Sequence, residues 1–435
     1  MSKIGFDFDG VAIDSVQVMV DIAKKMGYEI PVKIASSSDR LKKFFVGLDR
    51  QDDYNKIRKL IYTIGTSEAK SVPGIRESLI LLDKLNISRD LVSARGAQEA
   101  AYGRTFLQKT KIENYFSNII FCYDENEKYS EDLKIQEIKN RKFRIFLDDK
   151  MSFINKIKDD IPLILHVGGD VINTDVYPAN VIPIVDVKDF QLALWLLFLE
   201  KQRENLFDKH ISLIENQYKL IRLFANNEDN LFIQNIYNET IANRDCSVNN
   251  NKIYLSSPLT ELTRFIYSEY LVDQKNIKNN CIKFRLAFIN ALENLQGLCE
   301  DNNYKLFLPH QHGDPVNHPH VTANEINIGD FSQVVCSGAI FVIHPFGSTG
   351  VGMESQMAVT YSIPLFVCGS TTIIGDQYSD TYITRIIKPD FIWQGEKFKI
   401  IFSEGSAIFD FEEVKNTFRR YFRAHNIAKR IKAIL

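Results

Sequence analysis

Cysteine is scarce in this chain. Six occur in 435 residues, at positions 122, 246, 281, 299, 336 and 368, and no two form a CxxC pair. That spacing argues against a zinc ribbon and leaves reduced, buried thiols as the expectation. An excess of either charge is also missing. The formal net charge is −2, which exerts no bulk pull toward nucleic acid or a membrane surface. Long apolar runs are absent: the longest, LALWLLFLE near residue 195, is too short to span a bilayer. The opening MSKIGFDFDG turns acidic almost at once, which does not suit a signal peptide. The expected compartment is therefore a reducing cytoplasm, with no membrane partner. No internal repeat is evident.

What is present is ordinary for a globular protein, 45% apolar and 25% charged residues, at a length that suggests two or three domains. Residues 1–200 alternate short apolar runs (KIGFDF, DLVSA, NIIFC, RIFLD, LILHV, VIPIV) with segments such as IRESLILLDKL that repeat apolar residues at helical spacing. This alternation predicts a parallel sheet wrapped by helices. The stretch 15–70 lacks strand patterns and reads as a helical insertion after the first strand. A helical pattern runs from about 187 to 245, with 201–250 taken as a connector closed by the asparagine-rich CSVNNN. At KIYLSS a second strand–helix alternation opens and continues over 251–400. Residues 401–435 are taken as a basic amphipathic C-terminal helix, which suits a packed or dimer-forming helix and, as a second reading, contact with nucleic acid. The fold class is α/β: a first domain over 1–200, a connector, a second α/β domain and a terminal helix.

The first constellation is FDFDG. Residues two apart on a strand point to one side, so Asp7 and Asp9 are expected to converge at the carboxyl end of the first strand, where open α/β sheets bind ligands. Two close carboxylates repel unless a cation lies between them, and a hard ion such as Mg2+ suits oxygen donors. One aspartate can then be a nucleophile and the other an acid/base. Ser93 in SARG and the pair Asp148–Asp149 in FLDDK stand at two further strand ends. The order DFDGV, Ser93, a lysine and an acidic pair resembles the haloacid-dehalogenase-like (HAD) phosphatase superfamily over about 190 residues. The resemblance implies Asp7 as nucleophile, Asp9 as proton donor to the leaving group, Ser93 and the lysine on the phosphoryl oxygens, and Asp148 and Asp149 with Asp7 on Mg2+. The insertion at 15–70 falls where that family carries a small helical cap. For the lysine, Lys128 is preferred over Lys134, which reads as mid-helix.

The second constellation is HPFGSTGVGMES, residues 344–355. Glycines allow close backbone approach and an anion nest, and a helix beginning near Gly352 or Glu354 would favour phosphate as well. A carboxylate beside a phosphate loop makes sense if the two face different ends of one ligand. KIYLSSP with Tyr254, GDFSQVV with Asp330, the loop ending in Glu354, and Ala358 together resemble the nucleoside 2-deoxyribosyltransferase-like family, over about 250–370. The S-x-G-x-G-x-E form is similar to its branch that hydrolyses 2′-deoxynucleoside 5′-monophosphates. That resemblance implies a flavodoxin-like fold, Glu354 acting at C1′, Tyr254 orienting it, Asp330 at the leaving base, and Ser348, Gly350 and Gly352 on a 5′-phosphate. His310, His312, His318 and His320 depart from the pattern. They read as loop polarity, with a base or phosphate contact for His310 or His312 as a second reading and a metal site as a third.

Taken together, the resemblances imply a bifunctional nucleotide-metabolising enzyme with a Mg2+-dependent phosphatase site and an N-glycosidase or transferase site. The expected partners are small nucleotides or nucleosides, and a homo-oligomer is expected. Two alternatives stay open: a nucleotide-sensing or nucleotide-depleting effector acting with a protein or nucleic acid through the connector or basic tail, and a phosphatase whose second domain only binds nucleotide.

Overall fold

A computed structural model of the chain describes residues 3–35, 38–221, 231, 234–235, 238, 251–257, 275–313, 318, 320–321, 323–343, 349–368, 370–372, 390–394, 397–402 and 405–435. It divides into two compact units, Met1–Phe198 with Arg423–Leu435, and Leu199–Phe422.

In the first unit the apolar runs become strands β1 (Lys3–Phe6), β2 (Ile13–Asp14), β3 (Lys70–Ser71), β4 (Ser88–Ser93), β5 (Asn118–Phe121), β6 (Ile145–Asp148), β7 (Leu163–Val167) and β8 (Val181–Ile184). Six form one sheet in the order β5-β4-β1-β6-β7-β8, and every pairing is parallel. Such strands are covered on both faces, which is why they read as continuous rather than alternating apolar runs. Phe146 lies with Phe143, Phe153, Ile138 and Ile164 in one buried cluster. Phe6 meets Phe116 and Phe190 edge-on. The direction of winding reverses at β1, and the crevice beyond the carboxyl ends of β1 and its neighbours is where such sheets bind ligands.

The expected insertion is helical: Val16–Lys25, Val32–Ala35, Ser38–Gly47, Gln51–Leu60, a π-helical turn Ile61–Gly65, and Thr66–Glu68. It has its own core of Ala23, Leu41, Phe45, Tyr54, Ile57 and Ile61. The antiparallel pair β2–β3 closes its base.

In the second unit, β9 (Lys252–Ser256), β10 (Lys305–Phe307), β11 (Ala339–Ile343) and β12 (Leu365–Cys368) form a parallel sheet in the order β10-β9-β11-β12. Two α/β sheets are therefore present, as the sequence pattern implies. Two details differ from expectation. The helical pattern from 187 is one unbroken helix, Val187–Ile221, because no glycine or proline interrupts it; its residues from Leu199 onward belong to the second unit. The pattern near 232–242 lies mostly outside the described residues. The terminal helix runs over Phe411–Ile434, not from 401, because an antiparallel sheet precedes it: β13 (Ser370–Thr372), β14 (Asp390–Gln394), β15 (Lys397–Phe402) and β16 (Gly405–Asp410), in the order β13-β16-β15-β14. The alternation of Lys397, Phe398, Lys399 and Ile400 is its trace in the sequence.

The apolar face of the terminal helix is spent within the chain, since Phe411, Val414, Phe418, Tyr421, Phe422 and Ile431 are buried. Cys122, Cys281, Cys299, Cys336 and Cys368 are buried thiols. Among the described residues no helix is long and apolar enough to cross a membrane. Phe341 on β11 is fully buried and stacks on Phe418 at 3.8 Å between ring centres. Phe341→Ala should destabilise the second unit by about 3–5 kcal/mol, read as a lower denaturation midpoint for that unit.

Candidate active sites

The first site lies past the ends of β1 and β6. Its centre is Lys134, whose Nζ sits 2.9 Å from Asp7 Oδ1 and 3.0 Å from Asp148 Oδ2. The helix that carries it, Glu131–Arg141, is well specified. Ser130 caps it through Leu133 N, acids fill the first turn, bases occupy the last, and Lys142 ends it in a left-handed conformation. Lys134 is buried, on the same face as Ile138 one turn later, and its ammonium lies 4.0 Å from the Phe153 ring centre.

This arrangement corrects the preference for Lys128. Lys128 is exposed, in a turn closed by its backbone N–H donating to Asp124 Oδ1 at 2.8 Å. Mid-helix position did not disqualify Lys134, because a helix whose one face packs on the sheet aims a long side chain along the strand ends.

Asp7, Asp148 and Asp149 each offer a carboxylate oxygen within 4.8 Å of the others, and this trio is the group among the described residues able to hold a metal ion. The Asp9 carboxylate, expected from the sequence to share the metal with Asp7, Asp148 and Asp149, is not in that group. β1 ends at Phe6, so the alternation argument does not extend to Asp7 and Asp9. The chain turns at Gly10, whose φ is +73° and where a Cβ would lie 2.4 Å from Asp149 Oδ2. Only glycine allows both that backbone and that approach. Asp9 faces Arg95 instead, which donates Nη2–H to Oδ1 at 2.6 Å and Nε–H to Oδ2 at 3.1 Å. The Arg95 Nη1–H donates to Thr66 Oγ1 of the helical insertion at 3.0 Å. Arg95 is buried and was missed in the sequence, although it stands two residues beyond Ser93. Ser93 itself is buried at the end of β4, next to β1.

Burial raises the Asp7 carboxyl to about 7; the charges of Asp148 and Asp9 push the same way and Lys134 opposes them. Asp149 keeps an exposed side. Desolvation of its carboxyl, then the charges of Asp148, Asp7 and Asp9, still hold it well above its ordinary value. Burial pulls Lys134 down, but Asp148 and Asp7 outweigh it and the net direction is upward.

The second site is built on β9. Tyr254 and Ser256, two residues apart and so on one side of the strand, both donate to Glu354. The Tyr254 hydroxyl bonds Oε1 at 2.6 Å, and Ser256 Oγ bonds Oε2. Ser256 was not singled out in the sequence, though the alternation rule could have found it. Glu354 does not end a loop. Its helix begins at Thr349 and runs to Thr360, which puts Glu354 in the second turn and Gly350 and Gly352 in the first. Among the described residues nothing lies within 4 Å of a Cβ built at Gly352. Ser348 lies outside the described residues, and with it the nest.

Asp330, on helix Ala323–Val335, faces the Tyr254 hydroxyl; burial raises its carboxyl to about 6 against the opposing Tyr254 hydrogen bond. Burial, then the charges of Glu354 and Asp330, raise Tyr254 well above its usual value. One phenolic proton cannot serve both carboxylates at once. Ala358 is buried one turn beyond Glu354. His312 stacks on Phe307 at 4.9 Å, and Phe307 on Tyr254 at 5.5 Å. His310 lies 3.9 Å from Glu293. His318 bonds the Gln311 carbonyl, and its ring lies 6.3 Å from that of His320.

No family model and no curated protein matches the chain. Solved structures do. A HAD-superfamily hydrolase from Ehrlichia chaffeensis is 15% identical, over 45% of this chain and 97% of that one, with a TM-score of 0.29. A haloacid dehalogenase-like family hydrolase from Streptococcus pneumoniae is 15% identical, over 44% and 96%, at 0.33. A HAD family hydrolase from Deinococcus radiodurans, with bound phosphate and sodium, is 12% identical, over 45% and 95%, at 0.33. At these scores the likeness carries no chemistry, and the roles proposed below rest on the geometry of the two sites.

Lys134→Met leaves two buried carboxylates facing each other. It should cost about 3–5 kcal/mol in chemical denaturation, whereas Lys128→Met should leave the denaturation midpoint unchanged.

Proposed function

We propose that the first unit is a HAD-type phosphomonoesterase. The observation that carries this reading is the bridge from Lys134 to Asp7 and Asp148, with Asp149 completing an oxygen-only trio at the sheet's carboxyl edge. The donor set fits Mg2+: the oxygens are hard ligands, and three carboxylates against one ammonium leave negative charge for a divalent cation to offset. Asp7, Asp148 and Asp149 would hold the ion. Bound there, it supplies charge neutralisation for the phosphoryl oxygens.

The chain's own residues do the rest. An Asp7 oxygen attacks phosphorus, forming an acyl phosphate as the bond to the leaving oxygen breaks. Lys134 and Ser93 orient the phosphoryl oxygens, a task that is mostly positioning. The leaving oxygen takes a proton from Asp9, which requires the Asp9–Arg95 pair to open. Water then attacks phosphorus while giving a proton to Asp9; the acyl–phosphate bond breaks, inorganic phosphate leaves, and Asp7 and Asp9 return to their starting states.

For the second unit we infer cleavage of the N-glycosidic bond of a (deoxy)nucleoside or its 5′-monophosphate at Glu354. The supporting observation is that Tyr254 and Ser256 donate to its two oxygens, which fixes the carboxylate's orientation. Glu354 then attacks C1′ or stabilises positive charge there, with water completing hydrolysis, and a protonated Asp330 delivers a proton to the leaving base. Gly350, Gly352 and Ser348 remain the proposed 5′-phosphate contacts. Small nucleotides or nucleosides are the proposed substrates, and a homo-oligomer, to be tested by gel filtration, is the proposed state. A nucleotide-binding module without turnover is the competing reading of the second unit.

Incubation of wild type, Asp7→Asn and Glu354→Gln with deoxynucleoside monophosphates, with phosphate and free base read separately, tests both assignments. Asp7→Asn should lose phosphate release at least about 1000-fold and keep base release, while Glu354→Gln should do the reverse. Base release by Glu354→Gln at the wild-type rate would sink the second assignment. The raised Asp330 carboxyl sets a sign for pH: its protonated form is depleted as pH climbs past about 6, so base release should fall above that value. Asp330→Asn should remove that limb from the rate profile.

A further inference from the structure

The face that the helical insertion turns toward the first site is set by one spacing. Arg58, Tyr62 and Thr66 follow each other at intervals of four residues, so they share one side of the helical run. A π-helical turn, Ile61–Gly65, carries Tyr62; such turns occur often at functional sites. Thr66 accepts from Arg95, the partner of Asp9. The Arg95 guanidinium carbon lies 5.0 Å from the Tyr62 ring centre and 4.6 Å from that of Phe8. On the outer side the Arg58 guanidinium carbon lies 5.4 Å from the Tyr62 ring centre and 5.8 Å from that of Tyr129. Tyr129 immediately precedes the helix that carries Lys134. A line of alternating cations and rings therefore runs outward from Asp9: Arg95, Tyr62, Arg58, Tyr129.

The two arginines differ in what their N–H groups do. Arg95 has Nε, Nη1 and Nη2 committed to Asp9 and Thr66. Arg58 has a hydrogen bond with Tyr62 and the rings of Tyr62 and Tyr129 beside it, and among the described residues no carboxylate lies at ion-pair distance from it. The acid whose charge reaches it is Glu99, and that carboxylate accepts the backbone N–H of Gly96 at 3.2 Å, capping its own helix. A guanidinium carries five N–H donors, so a hydrogen bond to one phenol leaves part of its planar fork to match a carboxylate or phosphate. Burial, then the charges of Asp9 and Asp149, raise the Tyr62 phenol, and the charges of Arg58 and Arg95 oppose them.

We propose that Arg58, steadied by Tyr62 and Tyr129, is a specificity residue of the first site and selects phosphomonoesters whose leaving group carries a second anionic group. The inference rests on the phosphatase reading of the Asp7 site. The scissile phosphoryl group would lie at Asp7 and Lys134, and the leaving group would run past Tyr62 to the Arg58 edge. Recognition would be through charge-assisted hydrogen bonds to a carboxylate or a second phosphate, the shared chemistry being a planar or tetrahedral oxyanion.

The test compares ω-carboxyalkyl and ω-phosphonoalkyl phosphates with n-alkyl phosphates of matched chain length, in Mg2+. Hydrolysis is measured with wild type, Arg58→Gln and Arg58→Lys. Binding is measured calorimetrically with Asp7→Asn alone and with Asp7→Asn combined with Arg58→Gln. Wild type should prefer the anionic series by roughly 10- to 100-fold in kcat/KM, mainly through KM. Arg58→Gln should erase that preference with a several-fold smaller loss on the alkyl series, and Arg58→Lys should restore part of it. Asp7→Asn should show the same discrimination in binding, lost in the double variant. Equal treatment of the two series by wild type, or equal losses on both in Arg58→Gln, overturns the proposal. Binding that discriminates without any turnover by wild type upholds the Arg58 site and overturns the phosphatase reading instead.

Discussion

A single buried ammonium organises the first unit. Lys134 is out of water and touches two carboxylates that are also out of water. Neither acid could be held there alone, because an uncompensated buried charge costs several kcal/mol. The lysine therefore ties the helix Glu131–Arg141 to the ends of β1 and β6, and it fixes the spacing of the trio that includes Asp149. The compensation is incomplete, with three carboxylates against one cation. Burial first, and the neighbouring carboxylates after it, push Asp7 and Asp149 upward, and a hard divalent cation is the simplest group that would offset the remaining negative charge.

Arginine plays the complementary part. Arg95 takes Asp9 out of the acidic cluster and binds it to the helical insertion through Thr66. Two acids separated by one residue in the sequence thus enter different circuits, Asp7 with the lysine and the trio, Asp9 with the guanidinium and the insertion. The proton transfer proposed for Asp9 would have to compete with that pair, which would link chemistry at the sheet edge to contacts made by the insertion.

The second unit uses the same sheet logic with neutral donors. Tyr254 and Ser256 reach Glu354 because they lie on one side of β9 and because the helix after β11 brings Glu354 over that strand. Each of its two carboxylate oxygens accepts from a hydroxyl group of that strand.

The strand ends carrying Asp7, Ser93, Asp148, Tyr254 and the helical insertion were legible in the sequence, because parallel strands buried on both faces leave continuous apolar runs and because residue order along the chain survives folding. Glu354, Asp330 and the acidic pair were legible for the same reason. The lysine was not, since choosing between Lys128 and Lys134 depends on which helix face packs on the sheet, and a six-residue difference in sequence says nothing about that. Arg95, Ser256 and the π-helical turn under Tyr62 were not legible either. Their roles come from partners 86, 98 and 33 residues away. The antiparallel strands before the terminal helix were hidden by pairing between short segments of weak individual pattern. The sequence by itself determined the two α/β sheets and the acids at their edges, through local periodicity. Only the tertiary structure decided which cation neutralises which acid, because charge pairing inside a protein depends on distance and burial, and neither is a property of position along the chain.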